Sequence, residues 1–124
     1  MHTILVVDDE EDIRAVAALS LETIAGWTVQ TAVSGADGIK RAIEMQPDAI
    51  LLDVMMPEMD GPTTFHRLQE EPRTRNIPVL LLTAKVQGAD QRRFANLGVA
   101  AVLSKPFDPL TLGTQIASAL GWQS

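Results

Sequence analysis

The sequence predicts an α/β domain, an open parallel sheet of five strands with helices on both faces, and three observations predict it. Short aliphatic runs recur along the chain: "TILVV", "AILLD", "PVLLLT" and "AAVLS". These runs are continuous rather than alternating, as in strands covered on both sides. Segments with apolar residues at three-and-four spacing lie between them, and such alternation of strand and helix calls for parallel strands joined by right-handed crossovers.

The elements follow in order. The first strand, 3–7, leads to a helix on which Ile13, Val16, Ala17, Ser20, Leu21 and Ile24 form one stripe, with Asp12 near its start and Gly26 past its end. "WTVQTA", 27–32, alternates and suits an edge strand. Ile39, Ala42 and Ile43 mark the second helix, ahead of Pro47. Strand 49–53 follows, then a third helix carrying Phe65 and Leu68 before Pro72. Strand 78–83 precedes a helix with Phe94 and Leu97 before Gly98. Strand 100–104 leads to a last helix with Leu110, Gly113, Ile116, Ala117 and Leu120 before Gly121.

At 124 residues the chain reads as one domain, 1–124, with no separate output domain. Hydrophobic residues at 46% and charged residues at 21% fit an ordinary folded protein. The net charge of −6 disfavours direct contact with nucleic acid or an anionic membrane. With no cysteine, thiolate metal sites and cysteine nucleophiles are excluded. "ILVV" is too short for a signal-peptide core and runs straight into "DDEED", so a cytoplasmic location is expected.

Polar residues interrupt the apolar runs where the strands end: Asp8 and Asp9 after the first, Asp53 after the third, Thr83 after the fourth and Lys105 near the fifth. In a doubly wound sheet these ends share one edge, where ligands bind. Each residue has an ordinary alternative: the aspartates suit a helix start, Thr83 suits a strand, and Lys105 suits solvent. Asp53 is harder to explain that way, because a carboxylate at the end of a buried strand needs a partner. Lys105 would help, and a divalent cation would relieve the remaining repulsion among three carboxylates. Oxygen ligands without cysteine or nearby histidine point to a hard ion such as Mg2+. His2 and His66 lie away from the strand ends.

Mg2+, a free carboxylate, a lysine and a hydroxyl are the parts for phosphoryl transfer to an aspartate. In this reading Asp53 is the nucleophile, Asp9 holds the metal with Asp8 beside it, and Lys105 and Thr83 bind phosphoryl oxygens.

"ILVVDDEED", "LLDVMMPEMDG", "PVLLLTA" and "LSKPF" stand in the order and at the spacing of the receiver domain of two-component response regulators, which the chain resembles from about Thr3 to Leu120. The resemblance implies a flavodoxin-like sheet in strand order 2-1-3-4-5. It implies Mg2+, with Mn2+ as a substitute, on Asp9, Asp53 and the backbone carbonyl of Met55, and Asp8 acting through water. Phosphate binding falls to Thr83, Ala84 and Lys105, and Lys105-Pro106 is expected to be a cis peptide. Pro57 and Gly61 shape the loop after Asp53. A histidine kinase or histidine phosphotransfer protein would supply the phosphoryl group, and the surface of the fourth helix, fifth strand and fifth helix would regulate a partner protein, as a monomer or a phosphorylation-linked dimer. The chemistry would be self-catalysed aspartyl phosphorylation with slow dephosphorylation, not an enzyme's turnover.

The switch pair of the family is Thr83 with an aromatic on the fifth strand, and here that second position is Val102. Valine has no ring to swing. Met55 and Lys85 occupy positions that influence attack of water on the phosphoaspartate, and an apolar Met55 cannot orient water, so slow to moderate loss of phosphate is expected. Among rivals, a flavin carrier would not place "DDEED" at its phosphate loop, and no G-x-G-x-x-G follows the first strand. A haloacid-dehalogenase-type phosphohydrolase would use Asp8 with Glu10, but the later residues do not fit it. The alternative that stands is a receiver-like binding module independent of phosphorylation.

Overall fold

The computed structural model describes residues 2–84 and 88–122. Its elements alternate strictly: β1 (Thr3–Val7), α1 (Glu11–Thr23), β2 (Thr28–Ala32), α2 (Gly35–Met45), β3 (Ala49–Asp53), α3 (Gly61–Glu70), β4 (Val79–Thr83), α4 (Gly88–Ala95), β5 (Ala101–Ser104) and α5 (Leu112–Leu120). The strands form one parallel sheet in the order β2-β1-β3-β4-β5. This is the flavodoxin-like arrangement.

Period-two geometry sorts the strand residues into two cores. Ile4, Val6, Leu51, Leu80 and Leu82 pack with Ala17 and Leu21 of α1 and Leu112 and Ile116 of α5. Leu5, Val7, Ile50, Leu52 and Leu81 face the other way, onto Ala42 of α2, Phe65 and Leu68 of α3 and Phe94 of α4. β3 and β4 are buried along their whole length, which is why "AILL" and "VLLL" carry no polar residue before their last position. β2 alternates between exposed and covered residues, as an edge strand does.

Four details depart from the sequence reading. β5 lies at the edge, as the strand order 2-1-3-4-5 implies, but is only half covered, although "AAVLS" reads as a buried run. Leu97 follows α4 rather than lying in it and is 40% exposed. Leu110 precedes α5 and is 71% exposed, because its amide donates to the Asp108 side chain and Thr111 N–H donates to the Asp108 carbonyl, making a turn before the helix begins. On α1 the stripe is narrower than its spacing suggests: Ala17, Ser20 and Leu21 are buried, while Val16 and Ile24 are largely exposed.

Side chains fix the starts of α2 and α3. Ser34 accepts from the amide of Asp37 at the head of α2, and Asp60 accepts from Thr63 at the head of α3, with Pro62 in its first turn. Among the described residues no helix is long and apolar enough to cross a membrane.

Candidate functional site

Register brings the strand ends together. Asp53 pairs with Leu82 across the β3–β4 ladder, and Thr83 pairs with Ser104 across β4–β5. The amide of Lys105 then donates to the Thr83 carbonyl at 2.9 Å, seating Lys105 one step beyond β5. Asp8 follows β1 directly, its amide bonded to the Ala32 carbonyl of β2. The peptide between Lys105 and Pro106 is cis.

Lys105 is the centre of the cluster. Its Nζ lies 3.0 Å from Asp53 Oδ1, 3.0 Å from Asp8 Oδ2 and 3.6 Å from Glu10 Oε1. Asp8 and Asp53 are buried, Lys105 is nearly so, and Glu10 is exposed. Asp8 Oδ1 accepts from the amide of Glu10, and Arg14 Nη1 donates to the Asp8 carbonyl, so α1 braces the turn that carries the first two acids. Asp53 Oδ1 also faces the Met55 amide at 3.4 Å.

Among the described residues, two buried side-chain oxygens stand without a hydrogen bond, Asp8 Oδ2 and Asp53 Oδ2. For Asp8 Oδ2 the Lys105 ammonium is close enough to form an ion pair but not aligned for a hydrogen bond. Burial pushes the Asp53 carboxyl up from 3.8 to about 6, and the Asp8 carboxylate adds to the rise, while the Lys105 hydrogen bond and charge and the Met55 amide oppose it. Burial works against the Lys105 charge, but the Asp53 and Asp8 carboxylates outweigh it and raise its pKa.

A hard cation fits this donor set. Carboxylate oxygens of Asp8, Asp9 and Glu10 lie within 4.8 Å of one another, and Asp53 Oδ2 offers a buried anionic oxygen with no donor of its own. Asp53 is not part of that acidic grouping; it is tied to Asp8 through Lys105.

The loop after Asp53 is shaped around it. Met59 N–H donates to the Pro57 carbonyl, Glu58 takes a left-handed φ of 68°, and Gly61 N–H returns to the Val54 carbonyl at 2.9 Å. A Cβ on Gly61 would meet the Asp53 carbonyl oxygen at 2.5 Å and Val54 Cα at 2.8 Å, both backbone atoms, so only glycine lets α3 start this close to the site.

Thr83 is buried at the end of β4, and Ala84, next to it, is exposed. Asp9 is exposed, as is the side chain of Met55 at 61%. Val102 is half-buried and packs on the core lined by α2, α3 and α4. Lys85 lies outside the described residues. His66 is exposed on α3, and His2 stacks on Trp122. The sequence reading did not foresee Glu10 as a neighbour of Lys105. The signal for it was a third acid directly after Asp8 and Asp9, on the residue before α1.

The family model described as "Response regulator receiver domain" matches residues 4–117. The chain belongs to this family. The receiver domain is 44% identical over 108 residues to the DNA-binding dual master transcriptional regulator RpaA of Synechocystis, covering 87% of this chain and 44% of that protein. It therefore spans less than half the length of that relative. Its fold superposes on the chemotaxis protein CheY4 of Vibrio cholerae with a TM-score of 0.88 at 29% identity, over 96% of this chain and 98% of that one. The receiver domain of sensor histidine kinase PA1611 from Pseudomonas aeruginosa, a structure with a magnesium ion coordinated in its active-site cleft, gives a TM-score of 0.85 at 26% identity, over 97% of this chain and 98% of the other. As a receiver domain, the chain is a phosphoacceptor signalling switch of the two-component type.

Proposed function

We propose that this receiver domain takes a phosphoryl group on Asp53 from a phosphohistidine, carried by a histidine kinase or a histidine phosphotransfer protein, in a Mg2+-dependent reaction that its own residues promote. The observation that carries this reading is Asp53 itself: buried, with Oδ1 held by Lys105 and facing the Met55 amide, and with Oδ2 free of any donor. One Asp53 carboxylate oxygen bonds phosphorus. As the P–O bond forms, the P–N bond to imidazole breaks, and the imidazole leaves with its electron pair and takes up a proton.

Asp9, Asp53 and the Met55 carbonyl would hold Mg2+, with Asp8 acting through water. When bound, the ion offsets the carboxylate charge and neutralises phosphoryl oxygens. Lys105, already shared among three acids, would pair with one phosphoryl oxygen, and the Thr83 hydroxyl and Ala84 amide would bind others. In the metal-free protein a carboxyl raised to about 6 is still mainly ionised at neutral pH, so Asp53 meets a phosphodonor as a carboxylate.

Val102 sets the route of the signal. It is already packed on the core and carries no ring, so displacement of Thr83 would shift α4 through the β4–β5 edge without an aromatic rotation. The surface of α4, β5 and α5 would then regulate a protein partner. With apolar Met55 at the mouth, loss of phosphate is slow to moderate.

Incubation with acetyl phosphate, with and without Mg2+, followed by intact mass, tests the reading. Wild type gains one phosphoryl group only with Mg2+, and Asp53→Asn gains none. No Mg2+-dependent adduct on wild type would favour a phosphorylation-independent binding module instead.

A further inference from the structure

Glu10 stands at the N-cap position of α1, yet its side chain makes no capping hydrogen bond. Helix capping therefore does not explain it. Its Oε1 turns instead to Lys105 Nζ at 3.6 Å, among the described residues the longest of three carboxylate contacts to that lysine and the only one from an exposed acid. Its backbone cannot drift away, because the Glu10 amide is tied to Asp8 Oδ1 at 2.9 Å. The carboxylate is thus exposed to solvent yet in contact with the lysine that holds Asp8 and Asp53.

Resting on the reading of Asp53 as phosphoacceptor, we propose that Glu10 is a specificity-determining residue: its carboxylate competes for Lys105 and repels small anionic phosphodonors in proportion to their charge. A donor reaching Asp53 must take Lys105 for its own phosphoryl oxygen. The contact that yields is the long, solvent-exposed one, since Asp8 and Asp53 are held closer and in a drier place. Glu10 then faces the incoming phosphate without its ammonium partner. Nearby, Asp9 adds a like charge, and Arg14 is engaged with the Asp8 carbonyl. A surface carboxylate acts this way through a salt-screened field, so its effect is on the rate of productive encounter.

The test is the rate of phosphorylation of the whole chain at saturating Mg2+ near neutral pH, with acetyl phosphate, a dianion, and phosphoramidate, a monoanion. Glu10→Gln is expected to speed the acetyl phosphate reaction about threefold at low ionic strength and the phosphoramidate reaction less, both gains fading in high salt. Glu10→Asp, which keeps the charge, is expected to keep the wild-type ratio between donors. Equal changes for both donors, no change, or a slower reaction in Glu10→Gln would overturn the proposal while leaving Asp53 as the acceptor. A wild-type chain that forms no adduct would overturn the reading beneath it as well.

Discussion

The two ends of the sheet are built from opposite materials. At the carboxyl ends, Asp8, Asp53 and Lys105 are packed where water hardly reaches, and Asp53 Oδ2 has no donor. At the amino ends, His2 leads into β1 and Trp27 into β2, and both meet Trp122 after α5. His2 stacks on Trp122 with centroids 3.7 Å apart, and the two tryptophans meet edge to face at 5.4 Å. The first arrangement raises the energy of a charge; the second gains from apolar contact and ring packing. The charged end costs stability and the aromatic end contributes it, and the difference between the ends can be measured.

The largest effect is expected from Lys105→Met. Two buried carboxylates would lose their ammonium, costing roughly 3 kcal/mol or more at neutral pH. The deficit should shrink on acidification, because protonating Asp53 removes the unpaired charge; denaturant melts across the pH range check this.

Asp53→Asn should do the reverse in metal-free protein. A carboxyl raised from 3.8 to about 6 is favoured in its protonated form by the fold. Its contribution to stability is fully present below the unfolded value and is lost as pH rises through about 6. Asparagine mimics the protonated form, so the variant should exceed wild type by about 2–3 kcal/mol at pH 7. The gain should disappear below about pH 4, and chelator-treated melts of the two proteins would show it. A variant less stable than wild type at neutral pH would mean the Lys105 pair outweighs the burial.

Trp122→Ala probes the other end. The ring is only partly buried, so the loss should be about 1–2 kcal/mol, independent of metal and with phosphorylation of Asp53 unchanged.

The same contrast explains what could be read from the sequence. Strand positions were legible because β3 and β4 are buried on both faces and so carry uninterrupted apolar runs, with Asp53 and Thr83 conspicuous at their ends. The partial exposure of β5 was not, since "AVLS" is apolar whether one face is covered or two. Leu97 and Leu110 continue a helical spacing that the backbone abandons: α4 ends at Ala95, and Asp108 folds a turn before α5. Sequence spacing also could not show that Glu10 would leave its helix uncapped to reach a lysine ninety-five positions away; that depends on where β5 delivers Lys105. The aromatic cluster was invisible for the same reason, its three rings coming from three separated segments.

The most direct test of the account is where the phosphoryl group resides. Protein treated with acetyl phosphate and Mg2+, trapped by borohydride reduction of the acyl phosphate and mapped by peptide mass, should carry its modification at Asp53. Modification at Asp8 or Asp9 with Asp53 intact would contradict it.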